Sequence, residues 1–254
     1  MADSPTNKKW RADELLADSG LVDSPREAQA RIMAGTVIAT DPRGREHKVK
    51  TAGEPLRPGT TFRLKGARHP YVSRGGLKLA AGLDALQIDP RDLRCADLGV
   101  STGGFTDCLV QRGARHVVAV DVSYGLTAWR IRTDERVDLR ERTNVRHLSP
   151  DALAPVDLLV ADLSFIGLVD LLEGFARLVL PGGRLVLLVK PQFEAPRQDV
   201  EDGGVVTREA VRQAAVASVV EAGEAAGCEH LGTVESPITG ATGNVEYLVG
   251  MLRK

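Results

Sequence analysis

The residues whose types and spacing suit chemistry gather first in the stretch Leu93 to Thr106, which reads LRCADLGVSTGGFT. A short apolar run ends in an acid, Asp97, and passes through Gly99, Ser101, Thr102, Gly103 and Gly104 to Phe105, where a helical pattern begins. A strand, a tight turn and a helix start in that order make a nucleotide-type cradle. Glycines let the backbone approach a ligand, and the free N–H groups at the helix start offer donors to its polar atoms. The dinucleotide fingerprint G-x-G-x-x-G is not met, because the spacing is G-x-S-x-G-G with an acid two residues before the first glycine. That acid would repel a phosphate. It suits a cation such as the sulfonium and amino acid end of S-adenosylmethionine. An ordinary glycine-rich strand-to-helix turn would use the same residues.

Other charged residues fall at comparable places. Asp121 closes the apolar run His116 to Val120, where a carboxylate can take the ribose hydroxyls of a nucleoside or simply cap a helix. Asp162 ends the run Val156 to Ala161, and Lys190 follows Arg184 to Val189. If those runs are adjacent strands, Asp162 and Lys190 face each other across a crevice, as a functional or a purely structural ion pair.

The elements that must position these residues are an alternation of strands and helices. Leu77 to Leu86 reads as a helix with Leu77, Ala80, Ala81, Leu83 and Leu86 on its buried stripe and Lys78 off it. Helices are also expected over Phe105 to Gln111, Thr127 to Arg132, Phe165 to Leu180 and Thr207 to Ala226, with further strands at Val137 to Leu139, His230 to Val234 and Glu246 to Met251. This is a doubly wound α/β sheet, which places ligands at the carboxyl ends of its strands.

Ahead of it lies a smaller module. Trp10 to Leu21 reads as an amphipathic helix stopped by Gly20, and Ser24-Pro25-Arg26-Glu27 combines an N-cap, a first-turn proline and a capping-box glutamate for a helix ending at Gly35. A strand over Thr36 to Thr40, a turn at Asp41 to Gly44 and short strands between Glu46 and Arg63 follow. Residues 1–74 hold 14 Lys and Arg against 9 Asp and Glu, whereas residues 75–254 hold 19 against 25. The basic bias suits a polyanion, with Arg26, Arg31, Lys48 and Lys50 arrayed to follow phosphates and Arg11 and Arg74 beside them, although a solvated charged face looks the same.

The 254-residue chain has ordinary globular composition and a net charge of −1. Three cysteines without a C-x-x-C pair argue against a disulfide framework or a zinc site and suit the cytoplasm. The N-terminal stretch lacks the apolar core of a secretory signal, and every apolar run falls short of the roughly 20 residues that span a bilayer. A soluble protein without membrane partners is expected. The sequence leaves oligomeric state open, with a monomer as the default.

The motifs YVSRGGLKL (71–79), DLGVSTGGFTDCL (97–109), VADLSFI (160–166), LVKPQFE (188–194), GGVV (203–206) and SPITGATGNVEYL (236–248) together resemble the TlyA family, in which an S4 domain joins an FtsJ-like methyltransferase domain and which often carries the label hemolysin. The likeness spans nearly the whole chain. It implies a Rossmann-like S-adenosylmethionine-dependent methyltransferase sheet at 71–254, a linker at 65–70 and a small α+β S4-type RNA-binding domain at 1–64. The S4 likeness rests mainly on the stretch from Ser24 to Val37. The resemblance further implies 2'-O-methylation of cytidine in ribosomal RNA, with ribosomal RNA or subunits as partner and S-adenosylmethionine as cofactor. It also implies a tetrad of Lys78, Asp162, Lys190 and Glu246.

A ribose 2'-hydroxyl is a poor acid, so its attack on a sulfonium methyl needs a base or stabilisation of developing negative charge. A lysine is a base only if positive neighbours or burial lower its pKa from roughly 10.4. Lys190 is therefore expected to take the proton or hold the oxyanion, Lys78 to add positive potential, and Asp162 and Glu246 to orient the lysines. Competing readings are a small-molecule methyltransferase, which has no use for the basic module, and a non-catalytic RNA-binding protein, which need not keep all four residues. A membrane-lysing protein is disfavoured because the sequence holds no spanning segment or strongly hydrophobic amphipathic helix, and an NAD-dependent oxidoreductase because the glycine spacing and an evident hydride-handling site are missing.

Overall fold

The computed structural model describes residues 9–19, 21–22, 24–65, 70–149 and 153–254, and the chain divides into two units, Met1–Arg68 and His69–Lys254. The first unit runs β1 (Trp10–Arg11), α1 (Ala12–Asp18), α2 (Pro25–Met33), β2 (Val37–Thr40), β3 (Glu46–Lys48), β4 (Pro55–Leu56) and β5 (Thr61–Leu64). Ser24 caps α2 as its sequence demands, its Oγ accepting the Glu27 N–H at 3.2 Å with Pro25 in the first turn. β2 lies between β3 and β5, antiparallel to both, and Leu16, Ile32, Val37, Ala39 and Val49 form the core.

The helix expected from Trp10 begins instead at Ala12, because Trp10 and Arg11 pair with Leu56 and Pro55 as β1 and β4. Its expected stop at Gly20 lies outside the described residues.

The second unit contains α3 (Gly75–Ala85), β6 (Arg94–Leu98), α4 (Gly104–Gln111), β7 (His116–Val120), α5 (Trp129–Arg132), β8 (Val137–Arg140), β9 (Val156–Ala161), α6 (Leu172–Leu178), β10 (Val179–Val189), α7 (Pro191–Glu194), α8 (Glu209–Ala225), β11 (Cys228–Glu235) and β12 (Tyr247–Arg253). Seven strands form one sheet in the order β11-β12-β10-β9-β6-β7-β8. β10, β9, β6, β7 and β8 run parallel, and β12 is inserted antiparallel between β10 and β11. The order reverses between β6 and β9, which opens a crevice at their carboxyl ends. Both sheet faces are covered, so the central parallel strands are largely apolar: Leu158 and Val160 pack on one face with Leu79 and Leu109, Leu159 and Ala161 on the other with Phe175 and Val219.

Three sequence expectations shift. In α3 the buried residues are Gly76, Lys78, Leu79, Gly82 and Leu83, so Lys78 lies on the buried face and Leu77, Ala80, Ala81 and Leu86 are only partly covered. The small Gly76 and Gly82 bring that face close to Tyr71 and Leu248, and the lysine is tolerated there because a carboxylate meets it. The helix expected over Phe165 to Leu180 shrinks to a 3-10 turn at Val169–Leu171 followed by α6, and Val179 and Leu180 belong to β10, Val179 pairing with Val156. α5 starts at Trp129, two residues later than expected from Thr127.

Candidate active site

At the carboxyl ends of β6 and β9, backbone geometry shapes the floor of a cavity of about 330 Å³. Gly99 has φ +92, and a Cβ there would fall on the carbonyl oxygen of Asp162, so only glycine allows the two strand ends to lie this close. Gly103, at φ +98, is the N-cap of α4. A Cβ on Gly104 would fall on Ser73 Oγ, which lets the start of α4 approach the segment leading into α3.

The acids of the cradle work from beneath it. Asp97 is wholly buried inside β6; its Oδ2 accepts the Thr106 hydroxyl at 2.5 Å, tying strand to helix, while Oδ1 is buried without a hydrogen-bond partner. Burial pushes its carboxyl up to about 7 against the opposing Thr106 hydrogen bond, with the charges of Asp162 and Asp121 adding to the rise. Asp121 Oδ2 accepts the Ser101 N–H at 2.6 Å and Oδ1 the Ser123 N–H at 2.7 Å, so this carboxylate pins the cradle loop. Thr127 and Ala128 brace the same loop, donating to the carbonyls of Ser101 and Thr102. Asp97, Gly103 and Asp121 do not line the cavity; Gly99, Ser101, Thr102, Gly104 and Phe105 do, with Arg74 exposed among the lining residues.

The cavity also brings together Lys78, Asp162, Lys190 and Glu246. They form two ion pairs. Lys78 Nζ, on α3, meets Glu246 Oε2, just before β12, and the two residues are 9% and 2% exposed. Lys190 Nζ, at the exit of β10, lies 2.6 Å from Asp162 Oδ1 at the exit of β9 and donates to Ser164 Oγ at 3.0 Å. Adjacent parallel strands bring the second pair together at their carboxyl ends. The first depends on the reversed strand β12, which returns Glu246 to the cavity from the far end of the chain.

Several supporting residues were not singled out individually by sequence reasoning. Asn244, 1% exposed, accepts the Val206 N–H at 2.9 Å and donates to the Gly204 carbonyl at 2.8 Å, joining the GGVV loop to the segment ahead of Glu246. Phe165 is 89% exposed with φ +67, its ring centroid 5.5 Å from that of Phe193. Only the motifs containing them signalled these residues; an asparagine or phenylalanine alone carries no spacing rule.

In the first unit, Arg11 is held by Asp13 through Nε–Oδ1 and Nη2–Oδ2 contacts of 3.0 and 2.8 Å, and Arg31 by Glu27 at 3.2 Å. Arg26, Lys48 and Lys50 are exposed and form no salt bridge among the described residues. Arg26 and Arg31 share α2, but a five-residue separation rotates them roughly 140° apart, so they do not follow a single helix face.

The fold and the cavity define a doubly wound α/β enzyme class with a glycine cradle and two lysine–carboxylate pairs. Residues 71–253 match the FtsJ-like methyltransferase model, and the chain belongs to that family. It is 39% identical over 251 residues to the 16S/23S rRNA (cytidine-2'-O)-methyltransferase TlyA of Mycobacterium tuberculosis (strain ATCC 25618 / H37Rv), covering 95% of this chain and 89% of that one. Among solved structures, the hemolysin-named protein of Streptococcus thermophilus superposes with a TM-score of 0.74 at 35% identity, over 98% of this chain and 90% of that one. A S-adenosylmethionine-dependent methyltransferase of Mesorhizobium loti shares the fold at a TM-score of 0.52 and 19% identity, over 70% of this chain and 100% of that one.

Proposed function

We propose that this protein uses S-adenosylmethionine to methylate a cytidine ribose 2'-hydroxyl in ribosomal RNA. The observation that carries this reading is the convergence of the Lys78–Glu246 and Lys190–Asp162 pairs on one cavity floored by a glycine cradle, in an FtsJ-like methyltransferase related to TlyA. The residues fit the cofactor. Gly99 and Gly104 leave room that a Cβ would fill, the Asp97 Oδ1 below them has an unused acceptor, and Ser101 and Thr102 line the same cavity. We assign Asp97, Gly99, Ser101, Thr102, Gly103, Gly104, Phe105, Asp121 and Asp162 to cofactor binding, Asp97 and Asp121 chiefly by holding the cradle in shape. When bound, the cofactor supplies a sulfonium-activated methyl group.

The chain's own part is to align the hydroxyl and accommodate its charge. An ammonium held between a carboxylate and a serine hydroxyl is a hydrogen-bond donor, so the geometry favours Lys190 holding the developing oxyanion, with the hydroxyl proton released to solvent water as the O–CH3 bond forms. Lys78 adds positive potential, and Asp162 and Glu246 orient the lysines. The exposed Phe165 beside Phe193 offers an aromatic face to a base unstacked from RNA. We assign the first 64 residues to an S4-type RNA-binding domain, residues 65–70 to a linker and residues 71–254 to the methyltransferase domain. Arg11, Arg26, Arg31, Lys48, Lys50 and Arg74 would meet phosphates. A ribosomal substrate implies action in the cytoplasm; no described helix is long and apolar enough to cross a membrane.

The test is transfer of labelled methyl groups from S-adenosylmethionine to each ribosomal subunit and to free rRNA, followed by mass mapping. Labelled 2'-O-methylcytidine is expected. Its absence from every substrate would overturn the reading.

A further inference from the structure

The seven residues from Asp162 to Leu168, between β9 and the turn that opens α6, contain no helix or strand, yet this segment carries Ser164 to Lys190 and Phe165 to Phe193. Its position is set by the short stretch 190–194, which meets it at three successive places: Lys190 Nζ on Ser164 Oγ, the Phe193 ring against Phe165, and the Glu194 carboxylate on the backbone of Leu168.

The last contact is the firmest. Glu194 Oε1 accepts the Leu168 N–H at 2.7 Å. That N–H is an orphan donor at the start of the Val169–Leu171 turn, where an anion is favoured. Gly167 lets the loop press against the carboxylate: a Cβ there would lie 3.1 Å from Glu194 Oε2 and 3.2 Å from the Phe193 carbonyl oxygen. Glu194 forms no salt bridge among the described residues. Burial pushes its carboxyl up, while the neighbouring backbone amides pull it down. A partly buried carboxylate without a cation is justified by what it accepts, and here it accepts the loop.

We propose that Glu194 is a positioning residue of the methyl-transfer site, fixing loop 163–168 through the Leu168 amide and its packing on Gly167 so that Ser164 stays on Lys190 and Phe165 at Phe193. The role rests on the methyltransferase reading above. The glycine turn after β6 lies outside this loop, which shares only its first residues, Asp162 and Leu163, with the floor of the cradle.

The experiment compares Glu194→Ala, Glu194→Gln, Gly167→Ala and the double variant Glu194→Ala/Gly167→Ala. It measures S-adenosylmethionine affinity by calorimetry, kcat and KM on ribosomal subunits, and amide exchange across 164–169. Glu194→Ala is expected to keep cofactor affinity, expose the loop amides to exchange and lower kcat/KM for RNA by about 10- to 100-fold, the scale of a small misplacement at a reacting centre. Glu194→Gln, which keeps one acceptor oxygen, restores most of the rate. Gly167→Ala reproduces the selective loss from the loop side, and the double variant is no worse than Glu194→Ala because both act through one contact. Wild-type kcat/KM in Glu194→Ala overturns the proposal, as does a parallel loss of cofactor affinity. If that variant does not fold, a wild-type rate in Gly167→Ala overturns it instead. Should the wild-type protein methylate no rRNA, the functional reading falls by itself. The clamp is then judged on exchange alone, and unchanged loop protection in Glu194→Ala, or in Gly167→Ala if the former does not fold, overturns it.

Discussion

Lys78 and Glu246 lie 168 positions apart in the chain and form a buried ion pair at the rim of the glycine cradle. Removing one partner of such a pair strands a charge and costs about 3–5 kcal/mol, whereas replacing both by apolar side chains can be close to neutral. Lys78→Met is therefore expected to lower the urea midpoint markedly, and Lys78→Met/Glu246→Leu to recover much of it, while both lose methyl transfer. Recovery of activity with stability in the double variant would show that the pair is only structural.

Lys190→Ala is expected to bind S-adenosylmethionine as the wild type does and to lose methyl transfer, because the cradle is built without it. Ser164→Ala, which removes one of its two polar partners, should reduce kcat less and leave stability unchanged. Wild-type turnover in a folded Lys190→Ala protein would refute its assignment.

Phe165→Ala removes a side chain that is 89% exposed, so thermal stability should not change. Loss of an aromatic stacking face is worth about 1–3 kcal/mol per base. The expected result is weaker RNA saturation at unaltered cofactor affinity, read from kcat/KM on subunits. An unchanged value would remove the aromatic face from the substrate site.

Asp97 supplies a pH signature. Its carboxyl stands at about 7 in the folded protein against an ordinary 3.8. The raised value means that the protonated form is favoured by folding. Its contribution to stability is fully present below the unfolded value, declines as pH rises, and is lost through the folded value. Asp97→Asn cannot ionise, so its stability relative to wild type should rise between about pH 4 and about pH 7 and then level off. Urea midpoints at both ends of that window check this, and a constant difference would contradict it.

Replacing Arg26, Lys48 and Lys50 together by Ala should weaken RNA binding uniformly across sequences and flatten its salt dependence by up to about 0.7–0.9 in the log–log slope for each phosphate no longer neutralised. An unchanged slope, measured by filter binding, would take the first unit out of the RNA interface.

Residues at strand exits were legible in the sequence. The buried parallel strands carry largely apolar runs, and Asp121, Asp162 and Lys190 announce their ends, so the Asp162–Lys190 pairing follows from adjacency alone. Lys78 was misplaced because a buried lysine and an exposed one give the same helical pattern; only the carboxylate opposite distinguishes them, and that partner comes from a distant strand. The loop at Phe165 was read as helix because its apolar residues, Phe165, Ile166 and Leu168, mimic the first turn of a buried helix. What holds it open is the carboxylate of Glu194, which leaves no trace in local periodicity. Asp97 and Asp121 were legible as site residues but not as supports, since spacing does not say which way a carboxylate turns.

The reversed strand β12 gives the site a vectorial order of assembly. It enters between β10 and β11, both already synthesised, and it alone brings Glu246 to the cavity. While the chain is emerging from the ribosome, Lys78, Asp162 and Lys190 are made before their fourth companion, and the surface of Leu248 that buries α3 arrives with the same strand as Glu246. A nascent copy thus holds an incomplete pocket until the inserted strand docks, so completion of the sheet and completion of the chemistry are one event.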